Sequence, residues 1–233
     1  MTLWQDFLTN DGKIIHKWVH YFPIYDRHFS FYQNRSLTFL EIGVSRGGSL
    51  EMWQRYFGPL AKIIGIDINT KCKQHEGDGI FVRIGDQGDE VFLQGILDEF
   101  EPPDIVLDDG SHVMEHIAAS FFFLYPKMPK NGVYMVEDLH TAYWPEFGGG
   151  VDKPDTFVNL SKRFIDQLNA DHTRGALTPD FVTRQTFGIH FYDSMIAFEK
   201  GDVWRKAAPQ TGHASMALKA KRLMDKMPPR FRF

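Results

Sequence analysis

Four carboxylates follow two short apolar segments of the chain, a placement that could bind a metal ion. One segment ends in Asp108 and Asp109, and the other ends in Glu137 and Asp138. Because parallel strands end at the same edge of a sheet, these side chains would face one another there. Crowded carboxylates repel, and hard cations such as Mg²⁺ or Mn²⁺ prefer oxygen ligands. We predict that Asp109, Glu137 and Asp138 bind a divalent metal; the alternative is acids that cap a helix or lie in solvent.

His112 follows Asp109 closely in the segment D-D-G-S-H and could act as a general base. A neutral imidazole beside a metal can accept the proton of a substrate hydroxyl whose acidity the metal raises. We therefore predict a catalytic role for His112, with a histidine that only caps or packs as the alternative. His140 is a second candidate at the end of the other apolar segment.

A competing motif overlaps the same region. His112, Glu115 and His116 match H-x-x-E-H, in which two histidines of one helix bind zinc in a class of hydrolases. This short pattern arises easily by chance, and it leaves Glu137 and Asp138 without a role. We keep the zinc hydrolase as an alternative. If the carboxylates bind the metal instead, we expect Glu115 and His116 to lie on the surface of the helix.

A glycine-rich turn, G-V-S-R-G-G-S, begins at Gly43 and joins a predicted strand to a predicted helix. Glycines allow the backbone to approach a ligand, and Asp67 after the next strand can accept two ribose hydroxyls. The spacing differs from G-x-G-x-x-G, which favours a nucleotide-like cofactor without a pyrophosphate. Asp86, after the third strand, could accept a hydrogen bond from an exocyclic amine, or it could cap the next helix, as Asp89 also could.

The elements that carry these residues alternate between strand and helix. The predicted strands are Leu37–Ile42, Lys62–Ile66, Ile80–Ile84, Asp104–Leu107, Val133–Val136, Gln185–Tyr192 and Met195–Glu199. The predicted helices are Leu50–Phe57, Glu90–Phe100, Val113–Tyr125 and Asp155–Asn169, the last capped by Asp155. The last two strands are joined by a link too short for anything but an antiparallel pair. We predict an α/β fold with a doubly wound, Rossmann-like sheet of about seven strands, parallel except for this C-terminal hairpin.

We expect one domain over 1–233, with an N-terminal helical and aromatic cover (1–35), a catalytic core (36–200) and a basic tail (201–233). The cover either packs on the sheet or forms a lid to which Lys17, Tyr21 and Tyr25 offer polar tips. A second candidate lid is the aromatic and glycine-rich loop after Asp138, whose Tyr143 and Trp144 could stack on an acceptor. The tail is either a solvated helix or a contact for an anionic partner or another subunit.

Composition narrows the class of protein. The net charge of -4 over 233 residues does not indicate a nucleic-acid binder. Cys72 is the only cysteine, which excludes an intramolecular disulfide and favours a reducing compartment. The sequence shows neither an apolar run long enough for a bilayer nor a signal peptide, so we expect a cytoplasmic protein without a membrane span.

Several segments resemble the macrocin-type sugar O-methyltransferases of macrolide biosynthesis. They are L-E-I-G-V-S-R-G-G-S-L-E-M-W, G-I-D-I, D-D-G-S-H and V-E-D-L-H-T-A-Y-W-P-E-F-G-G. The resemblance extends from about Lys17 through Glu199 and implies a class I methyltransferase fold that uses S-adenosylmethionine and a divalent ion, usually Mg²⁺. It also implies that Asp109, Glu137 and Asp138 are the metal ligands and that His112 is the general base. The cofactor-binding candidates are Glu41, Gly43, Asp67 and Asp86, which match family positions, together with Gly47, Ser49 and Asp108 in the same turns.

We therefore expect a metal-dependent O-methyltransferase that acts on a sugar or glycoside, either an antibiotic glycoside or a surface polysaccharide. The metal would chelate two neighbouring hydroxyls, and His112 would remove one proton. A catechol-type acceptor is the alternative within this class. A zinc hydrolase, a nicotinamide-dependent oxidoreductase and a non-catalytic binding protein are alternatives from other classes. The partner we expect is a small-molecule or glycan acceptor, and a second copy of the chain is a further candidate.

Overall fold

The computed structural model describes residues 2–204 and 206–209. Seven strands form one sheet: β1 (Leu37–Ile42), β2 (Ala61–Asp67), β3 (Ile80–Ile84), β4 (Ile105–Asp108), β5 (Val133–Val136), β6 (Thr186–Tyr192) and β7 (Met195–Lys200). Their order is β3-β2-β1-β4-β5-β7-β6. Neighbours from β3 to β5 are parallel, whereas β7 runs antiparallel to both β5 and β6. The predicted fold class is confirmed, including the hairpin.

The helices are α1 (Leu3–Leu8), α2 (Phe22–Phe29), α3 (Gly48–Phe57), α4 (Glu90–Phe100), α5 (Met114–Leu124), α6 (Phe157–Leu168) and α7 (Phe181–Gln185). Predicted and observed ends agree to within about two residues. One cap was predicted wrongly: α6 is capped by Thr156, whose side chain accepts from the Asn159 amide, and not by Asp155. Thr156 has the extended backbone that a residue directly before a helix requires. Asp86 and Asp89 were the two candidates for the cap of α4, and the cap is Asp89.

Two apolar layers sandwich the sheet. On one face, Trp53 of α3 and Phe29 of α2 pack against Phe39 of β1. On the other face, Phe121 of α5 packs against Phe198 of β7, together with side chains of α4, α6 and α7. Burial on both faces explains why the parallel strands are continuously apolar rather than alternating.

The N-terminal segment covers one face of the sheet, as one of its two interpretations predicted. Pro23 lies in the first turn of α2, where its missing amide hydrogen costs nothing. Tyr21, Tyr25 and Phe29 of this segment are fully buried against the rest of the protein. Most of the predicted basic tail, from residue 210 on, lies outside the described residues. Within the described ranges, no helix is both long enough and apolar enough to cross a bilayer.

Candidate active site

The carboxyl ends of β1, β4 and β5 bring the predicted acidic residues together. The amide of Asp109 donates to the carbonyl of Ile42 (2.9 Å), and the amide of Glu137 donates to that of Asp108 (2.9 Å). The parallel ladder therefore continues one residue past each strand end before the chain turns. The acids that were predicted from two separate segments lie at one edge of the sheet, as expected.

Asp109, His112 and Asp138 form a cluster whose candidate ligand atoms all lie within 4.8 Å of one another. Nε2 of His112 is 3.9 Å from Oδ1 of Asp109 and 3.9 Å from Oδ2 of Asp138. His112 and Asp138 both have left-handed backbone, with φ of 59° and 53°. Such conformations are uncommon outside glycine, and at a site they direct the side chain inward. The two carboxylates can hold a divalent cation, and the imidazole beside them can either complete that donor set or stay free to accept a proton.

Glu137 lies beneath this cluster and is almost fully buried. Its Oε1 accepts from the hydroxyl of Tyr25 (2.5 Å), and its Oε2 accepts from Nζ of Lys17 (2.9 Å). Burial raises the pKa of Glu137 to about 8, although the Lys17 charge opposes that shift. In this arrangement Glu137 is not part of the Asp109–His112–Asp138 cluster, and its role as a metal ligand stays a prediction.

Lys17 is the functional residue whose role the sequence did not reveal. Its buried ammonium contacts Asp109 (2.6 Å), Glu137 (2.9 Å) and Glu41 (3.4 Å). Burial alone would lower the pKa of Lys17, but Asp109 first, and then Glu137 and Glu41, raise it well above its usual value. The lysine therefore stays charged and compensates the acids. The excess of predicted buried carboxylates was the one signal that pointed to such a cation.

The N-terminal cover packs on the sheet and also reaches the acids, whereas its role as a lid over a ligand stays a prediction. Tyr21 donates to Oδ1 of Asp138 (2.7 Å), and Tyr25 donates to Glu137. The cover therefore packs on the sheet and also presents polar groups to the acids. Ile14, Ile15, His16 and Lys17 form one wall of the adjoining cavity.

A cavity of about 610 Å³ opens above the cluster, and its walls include Asp109, His112 and Asp138. Its floor is the glycine turn. Gly43 has a φ of +97°, and a Cβ there would fall 2.1 Å from the carbonyl oxygen of Asp109. Only glycine permits this close approach of the two backbones. Ser49 and Asp67, two of the predicted cofactor residues, also line this cavity.

A smaller cavity of about 170 Å³ lies on the other side of Asp67. Its apolar walls include Ile42, Ile66 and Ile68, and Asp86 stands at its edge. A narrow apolar slot with a carboxylate at the rim fits a planar base that carries an exocyclic amine. The two cavities together can hold a nucleoside and an extended side arm, with Asp67 between them.

The carboxylate of Asp67 is held in place by the backbone. Oδ2 accepts from the amides of Val44 (2.9 Å) and Ser45 (3.0 Å), and Oδ1 accepts from that of Asn69 (2.8 Å). Burial by itself would raise the pKa of Asp67, but these amides lower it below its usual value. The acid is thus ionised and oriented at the boundary of the two cavities.

Three other predicted cofactor residues line neither cavity. Glu41 is fully buried and accepts from Ser49 (2.7 Å) and Trp53 (3.3 Å). Asp108 accepts from Ser120 (2.8 Å) and also from Tyr134 and Gln87, the last of which does line the smaller cavity. Gly47 has a φ of +76°, and a Cβ there would lie 2.5 Å from the ring of His75. As placed, these residues support the cavity walls, and direct contact with a cofactor stays a prediction for them.

The zinc-hydrolase motif does not assemble into a site. His112 faces the larger cavity, whereas His116 lines the smaller one and bonds to Ser111 (3.1 Å). Within the described part of the chain, His112 groups with Asp109 and Asp138 and not with His116. Glu115 is exposed, as predicted, but His116 is not free helix surface, because it helps to wall the smaller cavity.

The aromatic loop lies beside the cluster. Tyr143 is 52% exposed and Trp144 44% exposed, so both are available to a ligand. The rings of Trp144 and His140 form an edge-to-face pair with their centroids 4.8 Å apart. The ring centroids of Phe147 and His112 are 6.4 Å apart. His140 and Tyr143 also line a separate cavity of about 310 Å³ beside the turn between β6 and β7. Contact of Tyr143 and Trp144 with an acceptor stays a prediction.

Comparison with known proteins gives consistent results. The chain is 40% identical over 201 residues to the mycinamicin VI 2''-O-methyltransferase of Micromonospora griseorubida, covering 78% of this chain and 49% of that enzyme. It is 40% identical over 200 residues to the demethylmacrocin O-methyltransferase of Streptomyces fradiae, covering 79% and 50%. The chain therefore spans about half the length of these relatives. No protein-family model matches it.

Among solved structures, the chain is similar to the MycE methyltransferase of the mycinamycin biosynthetic pathway, in complex with Mg, SAH and mycinamycin VI. The TM-score is 0.74 at 38% identity, over 86% of this chain and 53% of that one. The fold is that of the class I S-adenosylmethionine-dependent methyltransferases, as the sequence resemblance implied. Within that class, the chain belongs to the family of macrolide sugar O-methyltransferases.

Proposed function

We propose that the protein is an O-methyltransferase that depends on S-adenosylmethionine and on a divalent metal, usually Mg²⁺, and acts on a hydroxyl of a sugar or glycoside. The observation that carries the proposal is the cluster of Asp109, His112 and Asp138 beside the cavity that is floored by Gly43. The related MycE structure holds Mg and SAH, which agrees with this donor set and these cavities.

The cofactor would bind across both cavities. Asp67, which lines both cavities, would accept from ribose hydroxyls, and Asp86, which lines the apolar slot, would accept from an adenine amine. The turn at Gly43 and Ser49 would contact the amino-acid portion in the larger cavity. When bound, S-adenosylmethionine supplies the electrophilic methyl group and the divalent ion orients and acidifies the acceptor hydroxyls.

Asp109 and Asp138 would hold the metal from neighbouring strand ends, and Glu137 would complete the acidic set from below. Lys17 contacts Asp109 as well as Glu137 and Glu41, so its charge offsets part of the acidic set from within the site. A bound dication would offset most of the remaining negative charge, which limits the cost of burying it.

His112 would accept the proton of the attacking hydroxyl at Nε2, which faces Asp109 and Asp138. Asp109 and Asp138, 3.9 Å from that nitrogen, would stabilise the imidazolium. The walls of the larger cavity would position the acceptor oxygen for attack, and such positioning would supply much of the rate gain. Tyr143 and Trp144 would hold the sugar face or the aglycone of the acceptor.

The experiment is mass spectrometry of glycosides after incubation with S-adenosylmethionine. The panel contains macrolide and rhamnosyl glycosides with free neighbouring hydroxyls, surface-polysaccharide fragments and a simple catechol. We expect a product one methyl heavier from a glycoside with Mg²⁺, and none with EDTA. Asp138→Asn should abolish that product, whereas the exposed control Asp155→Asn should not. Turnover that is unchanged in EDTA, or transfer to the catechol alone, would contradict the proposal.

A further inference from the structure

A second cluster of metal-type ligands lies away from the active site. It consists of His28 on α2, His190 on β6 and Glu199 on β7. One nitrogen or oxygen atom from each residue lies within 4.8 Å of the other two. Nδ1 of His28 is 2.8 Å from Oε1 of Glu199, and Nε2 of His190 is 3.2 Å from Oε2 of the same carboxylate.

The cluster is remote from the acids at the active edge. Glu199 pairs with Val133, the first residue of β5, whereas Asp138 lies two residues past the last residue of that strand. The two clusters thus lie at opposite ends of β5. Nothing in the proposed methyl transfer uses His28, His190 or Glu199.

The ring nitrogen Nε2 of His190 is buried, and its close polar neighbour is the carboxylate of Glu199, 3.2 Å away. Within the described part of the chain, this contact does not have the geometry of a well-formed hydrogen bond. A buried ring nitrogen without a hydrogen bond costs free energy unless something else binds it. Gly188 leaves space at this point, since a Cβ there would lie only 3.3 Å from that nitrogen.

His28 has the support that a metal-binding imidazole requires. Its Nε2 lies 2.8 Å from the hydroxyl of Tyr192, which can accept the Nε2 hydrogen and leave the lone pair on Nδ1. Metal-binding histidines almost always donate their second nitrogen to an acceptor of this kind. His28 is nearly fully buried, and the ring of His190 packs against it at 4.9 Å.

We propose that His28, His190 and Glu199 form a second metal site, one that binds zinc or a similar first-row transition ion. Two imidazoles and one carboxylate are a common ligand set for zinc, and they leave one coordination position open. Ligands at about 2.1 Å from a tetrahedral ion lie about 3.4 Å apart, so the side chains need only small adjustments. This donor set favours such ions over Mg²⁺, which prefers oxygen ligands.

The site would join the cover to the hairpin. His28 lies one helical turn after Tyr25, on the same face of α2. Tyr25 bonds to Glu137 beneath the active cluster, so a metal at His28 would fix the helix that positions this tyrosine. The role we assign to the ion is therefore to clamp α2 onto β6 and β7.

The test is a titration of the full chain with Co²⁺, a spectroscopic substitute for zinc, in excess Mg²⁺. We expect one equivalent to give the visible absorption of a four-coordinate ion. The same result is expected for Asp109→Asn, which removes a ligand of the other cluster, and for His172→Asn, an exposed histidine elsewhere. His190→Phe keeps an aromatic ring at the edge strand and should abolish the signal. Tyr192→Phe should weaken binding about 10- to 100-fold.

Thermal unfolding with Zn²⁺ supplies a second readout. A ligand that binds only the folded state raises the melting temperature, so Zn²⁺ should stabilise the wild type and not His190→Phe. Three results would overturn the proposal: no four-coordinate signal in the wild type, an equal signal in His190→Phe, or loss of the signal in Asp109→Asn.

Discussion

At the scale of single residues, His112 differs from the other histidines that the structure describes. Two aspartates lie 3.9 Å from its Nε2, and it lines the larger cavity. We expect His112→Ala to lower kcat about 10²- to 10⁴-fold, since a general base contributes roughly that much. The affinity for S-adenosylmethionine, measured by calorimetry, should stay unchanged.

The matched control is His172→Ala, which removes an exposed histidine. A parallel loss of cofactor affinity in His112→Ala would assign the residue to binding and not to proton transfer. An unchanged kcat would remove it from the mechanism.

Lys17 also acts at the scale of single residues, and its buried ion pairs predict an effect on the free energy of unfolding. Lys17→Met leaves the buried carboxylates of Glu137 and Glu41 without their cation. Breaking a buried ion pair from one side costs about 3–5 kcal/mol, so the free energy of unfolding in urea without metal should fall by about that amount. Mg²⁺ should restore part of the loss, because it supplies positive charge to the neighbouring Asp109.

Lys13→Met serves as the comparison, because the exposed ion pair of Lys13 with Glu51 should be worth about 1 kcal/mol or less. Equal losses of unfolding free energy in the two variants would show that the buried ion pairs of Lys17 contribute no more than the exposed pair of Lys13.

At the scale of elements, the carboxylate of Asp67 joins β2 to the glycine turn through the amides of Val44 and Ser45. Although burial opposes them, these amides hold its pKa below the ordinary 3.8. A depressed carboxyl pKa adds stability above the ordinary value, and this stability is lost as the pH falls through the folded pKa. Asp67→Asn should therefore lower the free energy of unfolding at neutral pH by about 1 kcal/mol, after allowance for its partial exposure.

The difference between wild type and Asp67→Asn should shrink as the pH falls below about 4. Urea unfolding at a series of pH values measures it, with the exposed Asp155→Asn as the control. A difference that grows in acid would contradict the assigned hydrogen bonds.

Lys200, the last residue of β7, caps the C-terminal end of α5 by hydrogen bonds to carbonyls that follow the helix. Its Nζ donates to the carbonyls of Tyr125 (2.8 Å), Met128 (2.6 Å) and Pro126 (3.2 Å). Lys200→Met removes this donor from all three oxygens, of which that of Tyr125 keeps the amide of Met128 (3.3 Å), and we expect a loss of about 3 kcal/mol in urea unfolding. Lys130→Met, which removes an exposed lysine, should cost less than about 1 kcal/mol. Similar losses for both would contradict the capping role.

At the scale of the whole molecule, local periodicity and turn residues were sufficient to predict the sheet, because each strand and helix carries its own apolar pattern. The acids of the site were predictable for the same reason, since they follow the strand ends directly. The confirmed fold class rests on these local signals, whereas the family was predicted from the resemblance of several motifs and is confirmed by the relatives.

Long-range partners were not predictable in this way. Lys17 and Asp109 are 92 positions apart, and no local pattern encodes that ion pair. The position of Glu137 beneath the cluster depends on Tyr25 in the same manner. Gln87 and His116 were missed as cavity residues because their orientation depends on how α4 and α5 pack, which periodicity does not specify.

The central claim is that the two cavities beside Gly43 and Asp67 bind S-adenosylmethionine next to a divalent ion. Isothermal calorimetry of the full chain with Mg²⁺ and S-adenosylmethionine tests it most directly. We predict one molecule bound per chain with micromolar affinity or better, and no binding of NADH (order of magnitude for a cofactor of this size). An absence of binding, or a preference for NADH, would contradict the account.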